Sequence, residues 1–131
     1  GGILVQQADR FRLNLVSCQI PSRQKPSSRE LELLTFAWRV VKHIKSNAIL
    51  LAGHASETED LMVTLGVGAG QMSRVDAVKL AVWKAQDASH GYKLTGSVLA
   101  SDAFFPFRDG MDTAGEAGVK AIVQPGGSKR E

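Results

Sequence analysis

The 131-residue sequence predicts a layered α/β fold, a mixed or partly parallel sheet with flanking helices. Three observations carry that prediction. Short apolar or β-branched runs alternate with segments whose apolar residues recur at three- and four-residue steps. Turn-forming residues punctuate the boundaries between them. The composition, 44% hydrophobic and 22% charged, is that of a globular chain long enough to bury one core without disulfides.

The elements follow in order. Ile3–Gln6 and Leu13–Ser17 are short apolar runs on either side of the polar "QADRFR", and predict two strands. "QIPSRQKPSS" carries two prolines and reads as a linker. Ser27 and Glu30 then stand at capping-box spacing and open a helix that reaches about Lys45. Leu33, Ala37, Val40 and Ile44 fall on one of its faces with Leu34, Trp38 and Val41 beside them, while Glu32, Arg39 and His43 point away. "NAILLAG" and "LMVTLGV" are strand-like and are joined by the acidic loop "HASETED" at 54–60, which predicts a hairpin with a long connection. Ser73 can cap a second helix in which Val75, Val78, Val82 and Ala85 recur, ending near Gly91. "GSVLAS" is a further strand and "FFPFRDG" a loop. Met111–Ala117 is a short helix closed by Gly118, and "VKAIVQ" a last strand before Pro125-Gly126-Gly127.

The totals exclude several classes of function. The formal charge of +3 is spread along the chain with no Lys/Arg stripe interleaved with aromatics, so no nucleic-acid partner is expected. No apolar run approaches the ~20 residues of a membrane span. Cys18 is the only cysteine, so the chain alone can build neither a disulfide nor a multi-thiolate zinc site, which suits a reducing, cytoplasmic home. The start at Gly1-Gly2 without methionine or signal peptide, and the stop at "GGSKRE", read as a single partial domain over residues 1–131, cut from something longer at both ends.

Four motifs invite chemistry. Gly66, Gly68 and Gly70 stand at a strand-to-helix junction, but Gln71 occupies the place of the last dinucleotide-fingerprint glycine and the phosphate-loop lysine is missing, so a tight turn is expected. Arg74, at the start of the second helix, works against the macrodipole, and recruitment to an anion would be a reason to keep it. "HASE", His54–Glu57, has the wrong spacing for a zinc deaminase and lacks the Pro-Cys-x-x-Cys half, so no metal is expected. Lys42-His43 and His90 read as helix-end residues and Cys18 as a buried or inert thiol. The fourth motif, "ASDAFFPFRDG" at 100–110, holds three of the five phenylalanines. Phe104, Phe105 and Phe107 are either a hydrophobic plug or a ligand wall.

Read together, Ile44–Ile49, "GVGAGQMSRVDA" at 66–77, and "ASDAFFPFRDG" followed by "AGVKAIVQPGGS" resemble one family. It is the formyltransferase domain of the bifunctional purine-biosynthesis enzyme that joins 5-aminoimidazole-4-carboxamide ribonucleotide transformylase to inosine monophosphate cyclohydrolase. The likeness runs from "GGILVQ" to "GGS". It implies two cytidine-deaminase-like units without zinc, of which this chain matches the second, the C-terminal half-unit. It implies formyl transfer from the co-substrate 10-formyltetrahydrofolate to the amine of the ribonucleotide. Asn47, Arg74 and Phe104 would then contact the ribonucleotide, and Val75, Asp109, Ser128 and Lys129 would line the folate pocket.

The family's catalytic Lys-His pair belongs to the first unit, so no catalytic residue is assigned here and Lys42-His43 is not that pair. The implied partners are the remainder of the parent chain and a second copy in a homodimer. "GHASETEDLM" is longer than the family's usual turn. The alternative is a stand-alone nucleotide- or folate-binding or assembly module without turnover.

Overall fold

A computed structural model describes residues 1–14, 17–87 and 91–127. Its helices and strands run α1 (Ser28–Val41), β1 (Ile49–His54), β2 (Met62–Gly68), α2 (Arg74–Asp87), β3 (Val98–Ser101), α3 (Asp109–Glu116) and β4 (Ala121–Val123). The four strands form one mixed sheet in the order β2-β1-β3-β4. β1 pairs antiparallel with β2, as the predicted hairpin, and antiparallel with β3 on its other side. β3 and β4 are parallel, and α3 lies in the crossover that a parallel pair requires.

The helices cover both faces of the sheet. α1 packs Leu33, Leu34, Ala37 and Val41 on Leu50, Ala52, Val98 and Ala100. Opposite them, Ile49, Leu51 and Leu99 meet Ala77, Val78 and Ala81 of α2, Ala114 of α3, and Phe105. Because β1 and β3 are buried on both faces, their sequences are continuous apolar runs instead of alternating ones.

α1 starts as its capping box dictates. The Glu30 N–H donates to Ser27 Oγ at 3.3 Å, and the Ser27 N–H donates to Glu30 Oε2 at 2.7 Å. It ends at Val41 and not near Lys45, because the last bonds tighten to three-residue steps, His43 N–H to Val40 O and Ile44 N–H to Val41 O, both 3.0 Å. α2 opens with the Asp76 N–H on Ser73 Oγ at 3.4 Å and is described to Asp87; residues 88–90, His90 among them, lie outside the described residues. α3 begins two residues earlier than its sequence pattern suggests, at Asp109.

Three expectations are corrected. Gly66 and Gly68 form no turn: they lie in β2, opposite Leu51 and Ile49, and let the backbone of α2 press on the strand. A Cβ at Gly66 would stand 2.0 Å from Ala81 O, and one at Gly68 1.9 Å from Ala77 O. Only Gly70 of the three has a turn conformation, at φ 64°. The N-terminal strand expected at Ile3–Gln6 is also absent. Ile3, Leu4 and Val5 are exposed coil, Leu13 and Asn14 belong to no strand, and residues 15 and 16 lie outside the described set. Among the described residues, the strand pattern at Ile3–Gln6 meets no neighbouring strand to complete its hydrogen bonds. Finally, of the two readings of Cys18, buried or inert, full burial does not hold: the residue is half-buried, its thiol donating to Asn14 O at 3.4 Å. No helix among the described residues is long and apolar enough to cross a membrane.

Candidate functional site

The fold brings the start of β1, the start of α2 and the loop after β3 to one end of the sheet. A cleft of about 600 Å³ opens there. Asn47, Ser73, Arg74 and Val75 form one side, and the segment from Ala103 to Phe107 with Asp109 forms the other. Five of the seven residues that the sequence resemblance singles out, Asn47, Arg74, Val75, Phe104 and Asp109, line it. Ser128 and Lys129 lie outside the described residues.

The first side is a polar corner built around Arg74, the first residue of α2. Its Nη1 donates to Asp102 Oδ1, to Ser101 Oγ at 3.1 Å and to Ala48 O at 3.4 Å. Its Nη2 donates to Asn47 Oδ1 at 2.8 Å. Asn47 in turn donates through Nδ2 and through its backbone N–H to Gln71 O, at 2.9 and 3.1 Å. The anion that compensates a cation at this helix start is therefore Asp102. Burial by itself would raise the Asp102 carboxyl, but hydrogen bonds from Ser46, the Ala48 N–H and Arg74, together with the Arg74 charge, outweigh burial and hold it below the ordinary carboxylate value.

Sequence reasoning missed Asp102, although a carboxylate one residue past an apolar strand and one before an aromatic loop was a signal to weigh.

The second side divides the three phenylalanines. Phe105 is the plug: it is 3% exposed, belongs to the core under α2 and α3, and its N–H donates to Gln124 Oε1 at 2.8 Å. Gly110 is what admits the ring, since a Cβ there would lie 2.7 Å from Phe105 Cε1. Phe104 and Phe107 are the wall, 39% and 64% exposed. The plug reading thus holds for Phe105, while Phe104 and Phe107 stand at the cleft surface. Asp109 sits at the cleft edge as the first residue of α3, with Oδ1 accepting the Gly110 N–H at 2.8 Å. Arg108, the N-cap, makes no side-chain cap bond and pairs instead with Asp112, Nε to Oδ2 at 2.9 Å, on the outer surface.

Other candidates stand apart. Lys42 and His43 are exposed beyond the end of α1, with Lys42 Nζ donating to Asp9 O at 2.8 Å, and neither lines the cleft. His54 ends β1 with both ring nitrogens shielded from solvent and without a hydrogen-bond partner among the described residues. Burial first, and then the Arg29 charge, lower its pKa. The acidic loop after it is tied down by Arg29 of α1, whose guanidinium donates to the carbonyls of Ser56, Glu57 and Glu59 at 3.3, 3.0 and 3.3 Å. Among the described residues no three His, Cys, Asp or Glu side chains are grouped to hold a metal ion.

The corner can bind and orient a ligand through directed N–H donors, and the aromatic side can stack a planar ring and keep water from it. Comparison with known sequences fits this geometry into a context. Residues 1–84 match the family described as the AICARFT/IMPCHase bienzyme. The chain is 54% identical over 136 residues to the bifunctional purine biosynthesis protein PurH of Magnetococcus marinus, and 53% identical over 131 residues to that of Chloroflexus aurantiacus. In both comparisons the whole of this chain is covered, and it spans 24% of the length of the relative.

Proposed function

The chain belongs to the AICARFT/IMPCHase bienzyme family, and on that premise we propose that it is part of a purine-biosynthesis formyltransferase. The reaction moves a formyl group from 10-formyltetrahydrofolate to the 5-amino group of 5-aminoimidazole-4-carboxamide ribonucleotide. A C–N bond forms at the amine and the bond from the formyl carbon to N10 breaks, while one proton leaves the amine and one is gained at N10. The observation that carries this reading is the single cleft lined by Asn47, Arg74, Val75, Phe104 and Asp109, with a fixed polar corner facing an apolar one.

The amine is a weak nucleophile because its lone pair is conjugated with the ring and carboxamide, so alignment of the two reactants is a large share of the catalytic task. This chain supplies that alignment. Asn47 and Arg74 orient the ribonucleotide, Phe104 packs on its ring, and Val75 and Asp109 meet the folate together with Ser128 and Lys129. A water-poor cleft strengthens each of these polar contacts. The proton transfer falls to a Lys-His pair elsewhere in the parent chain, and the complete protein works as a cytoplasmic homodimer.

Arg74→Ala in the complete protein tests the reading. Loss of charge-assisted hydrogen bonds worth ~1.5–3 kcal/mol should raise the ribonucleotide KM by about tenfold or more, with far less change for 10-formyltetrahydrofolate. Equal weakening of both, or of neither, would count against it. The 131-residue chain alone should show no formyl transfer, since an absent acid/base pair forfeits ~10²–10⁴-fold in rate; turnover by the isolated chain would overturn that division of labour.

A further inference from the structure

We infer that Asp102 is a positioning residue of the cleft: its carboxylate holds the Arg74 guanidinium against the start of β1 and so sets the direction from which Arg74 and Asn47 meet the ligand. The inference rests on the formyltransferase reading of the cleft, and adds to it a residue that does not itself line the cavity.

The geometry is that of a knot joining three elements. Asp102 Oδ1 accepts from Arg74 Nη1, at the start of α2, and from the Ala48 N–H at 3.0 Å, one residue before β1. The Asp102 N–H returns a bond to Ala48 O at 3.3 Å, and Asp102 itself directly follows β3. Asn47, whose Oδ1 takes the other arm of the guanidinium, is the neighbour of Ala48. An arginine side chain is long and rotamer-rich, and at a helix N-terminus the macrodipole repels it. The carboxylate offsets both effects. The two side chains are only 9% and 18% exposed, so water offers few substitute partners, and removal of either leaves the other charge poorly compensated. Ser101 Oγ completes the cradle, accepting from Arg74 while donating to Ala103 O at 2.6 Å.

A role confined to pinning β1 to β3 is the competing account, and a double-mutant cycle in the complete protein separates the two. Asp102→Asn is isosteric and keeps an oxygen for the Ala48 N–H. It is expected to raise the ribonucleotide KM by about tenfold, as an affinity change of one decade requires, and to leave kcat within about threefold. In the Arg74→Ala background the same substitution is expected to add no more than about twofold, because Asp102 acts through Arg74. An equal KM increase in both backgrounds, or a fall in kcat with KM unchanged, would overturn the inference. Should Asp102→Asn fail to fold, Asp102→Glu, which keeps the charge and displaces it by one methylene, carries the same cycle. If Arg74→Ala itself leaves the ribonucleotide KM unchanged, the reading of the cleft fails. The positioning role is then decided by a ligand-free crystal structure of Asp102→Asn: displacement of the Arg74 guanidinium supports it, and an unmoved guanidinium refutes it.

Discussion

The two sides of the cleft are held in place by opposite means. The Arg74 corner is a lattice of hydrogen bonds among Asn47, Ala48, Ser101 and Asp102, and nearly every polar atom in it has a fixed direction. The loop facing it is anchored by one buried ring, Phe105, and by two bonds involving its backbone, from Ser101 Oγ to Ala103 O and from the Phe105 N–H to Gln124, while the side chains of Phe104 and Phe107 are left partly exposed. A hydrogen-bonded corner tolerates little displacement and suits recognition of specific acceptors. Partly exposed aromatic side chains have fewer fixed directions and offer apolar surface. The cleft thus combines a hydrogen-bonded side with a largely apolar one, and the division runs between adjacent residues of one motif, Asp102 and Ala103.

Removing the Phe105 ring should have the largest effect. Phe105→Ala in the complete protein should cost ~3–5 kcal/mol of stability, the range for a buried Phe cut to Ala. Phe105 packs in the core beneath α2 and α3, so the loss should register in thermal or denaturant unfolding before any activity is measured. A stability change under ~1 kcal/mol would mean that the loop is held by something other than this ring.

The polar corner should instead reveal itself through pH. Asp102 is depressed in the folded state, so its contribution to stability is fully present above the unfolded carboxyl value of about 3.9 and is lost as pH falls through the lower folded value. Melting temperatures of the parent and of Asp102→Asn should therefore converge as the pH is taken from about 5 to 2, with the parent the more stable at the upper end. Parallel curves across that window would show that the carboxylate is not paired as described.

Phe104→Ala sharpens the contrast at smaller cost. With the ring already 39% exposed, the expected stability loss is about 1 kcal/mol, well under that of Phe105→Ala. A severalfold rise in ribonucleotide KM should accompany it, and a loss of stability matching Phe105→Ala would erase the distinction between wall and plug.

What the sequence made legible follows the range of the interactions involved. The start of α1 is written in four consecutive residues, Ser27 to Glu30, and appears as read. The β1–β2 hairpin, the covered strand β3 and the crossover through α3 to β4 are likewise local patterns. The failures are nonlocal. Ile3–Gln6 has a strand's composition, but a strand exists only against a neighbour. Gly66 and Gly68 alternate within an apolar run, which is a mark of close backbone approach in a strand, yet the helix that approaches is encoded 9 to 15 residues later, at Ala77 and Ala81. Asp102 lies 28 residues from Arg74, and nothing in its surroundings names its partner. Of the five lining residues, Arg74 and Phe104 stood out from their local chemistry, while Asn47, Val75 and Asp109 were singled out only through the family resemblance.

The smallest expected effect on stability belongs to Asp109, and for that reason it is the most discriminating. As the first residue of α3, its carboxylate accepts the Gly110 N–H at 2.8 Å and favours the positive end of the helix dipole. Asp109→Asn keeps an oxygen for that bond and gives up only the charge, so the stability loss should stay within ~0.3–1 kcal/mol. At the cleft edge the change is more consequential, because the amide replaces one acceptor oxygen with a donor. If Asp109 accepts hydrogen bonds from the folate, as proposed, the KM for 10-formyltetrahydrofolate should rise by about tenfold while the melting temperature scarcely moves. A residue that serves only to start α3 predicts unchanged kinetics. Unaltered formyl transfer by this variant would remove Asp109 from the site and leave the cleft's outer edge a structural feature of the helix it begins.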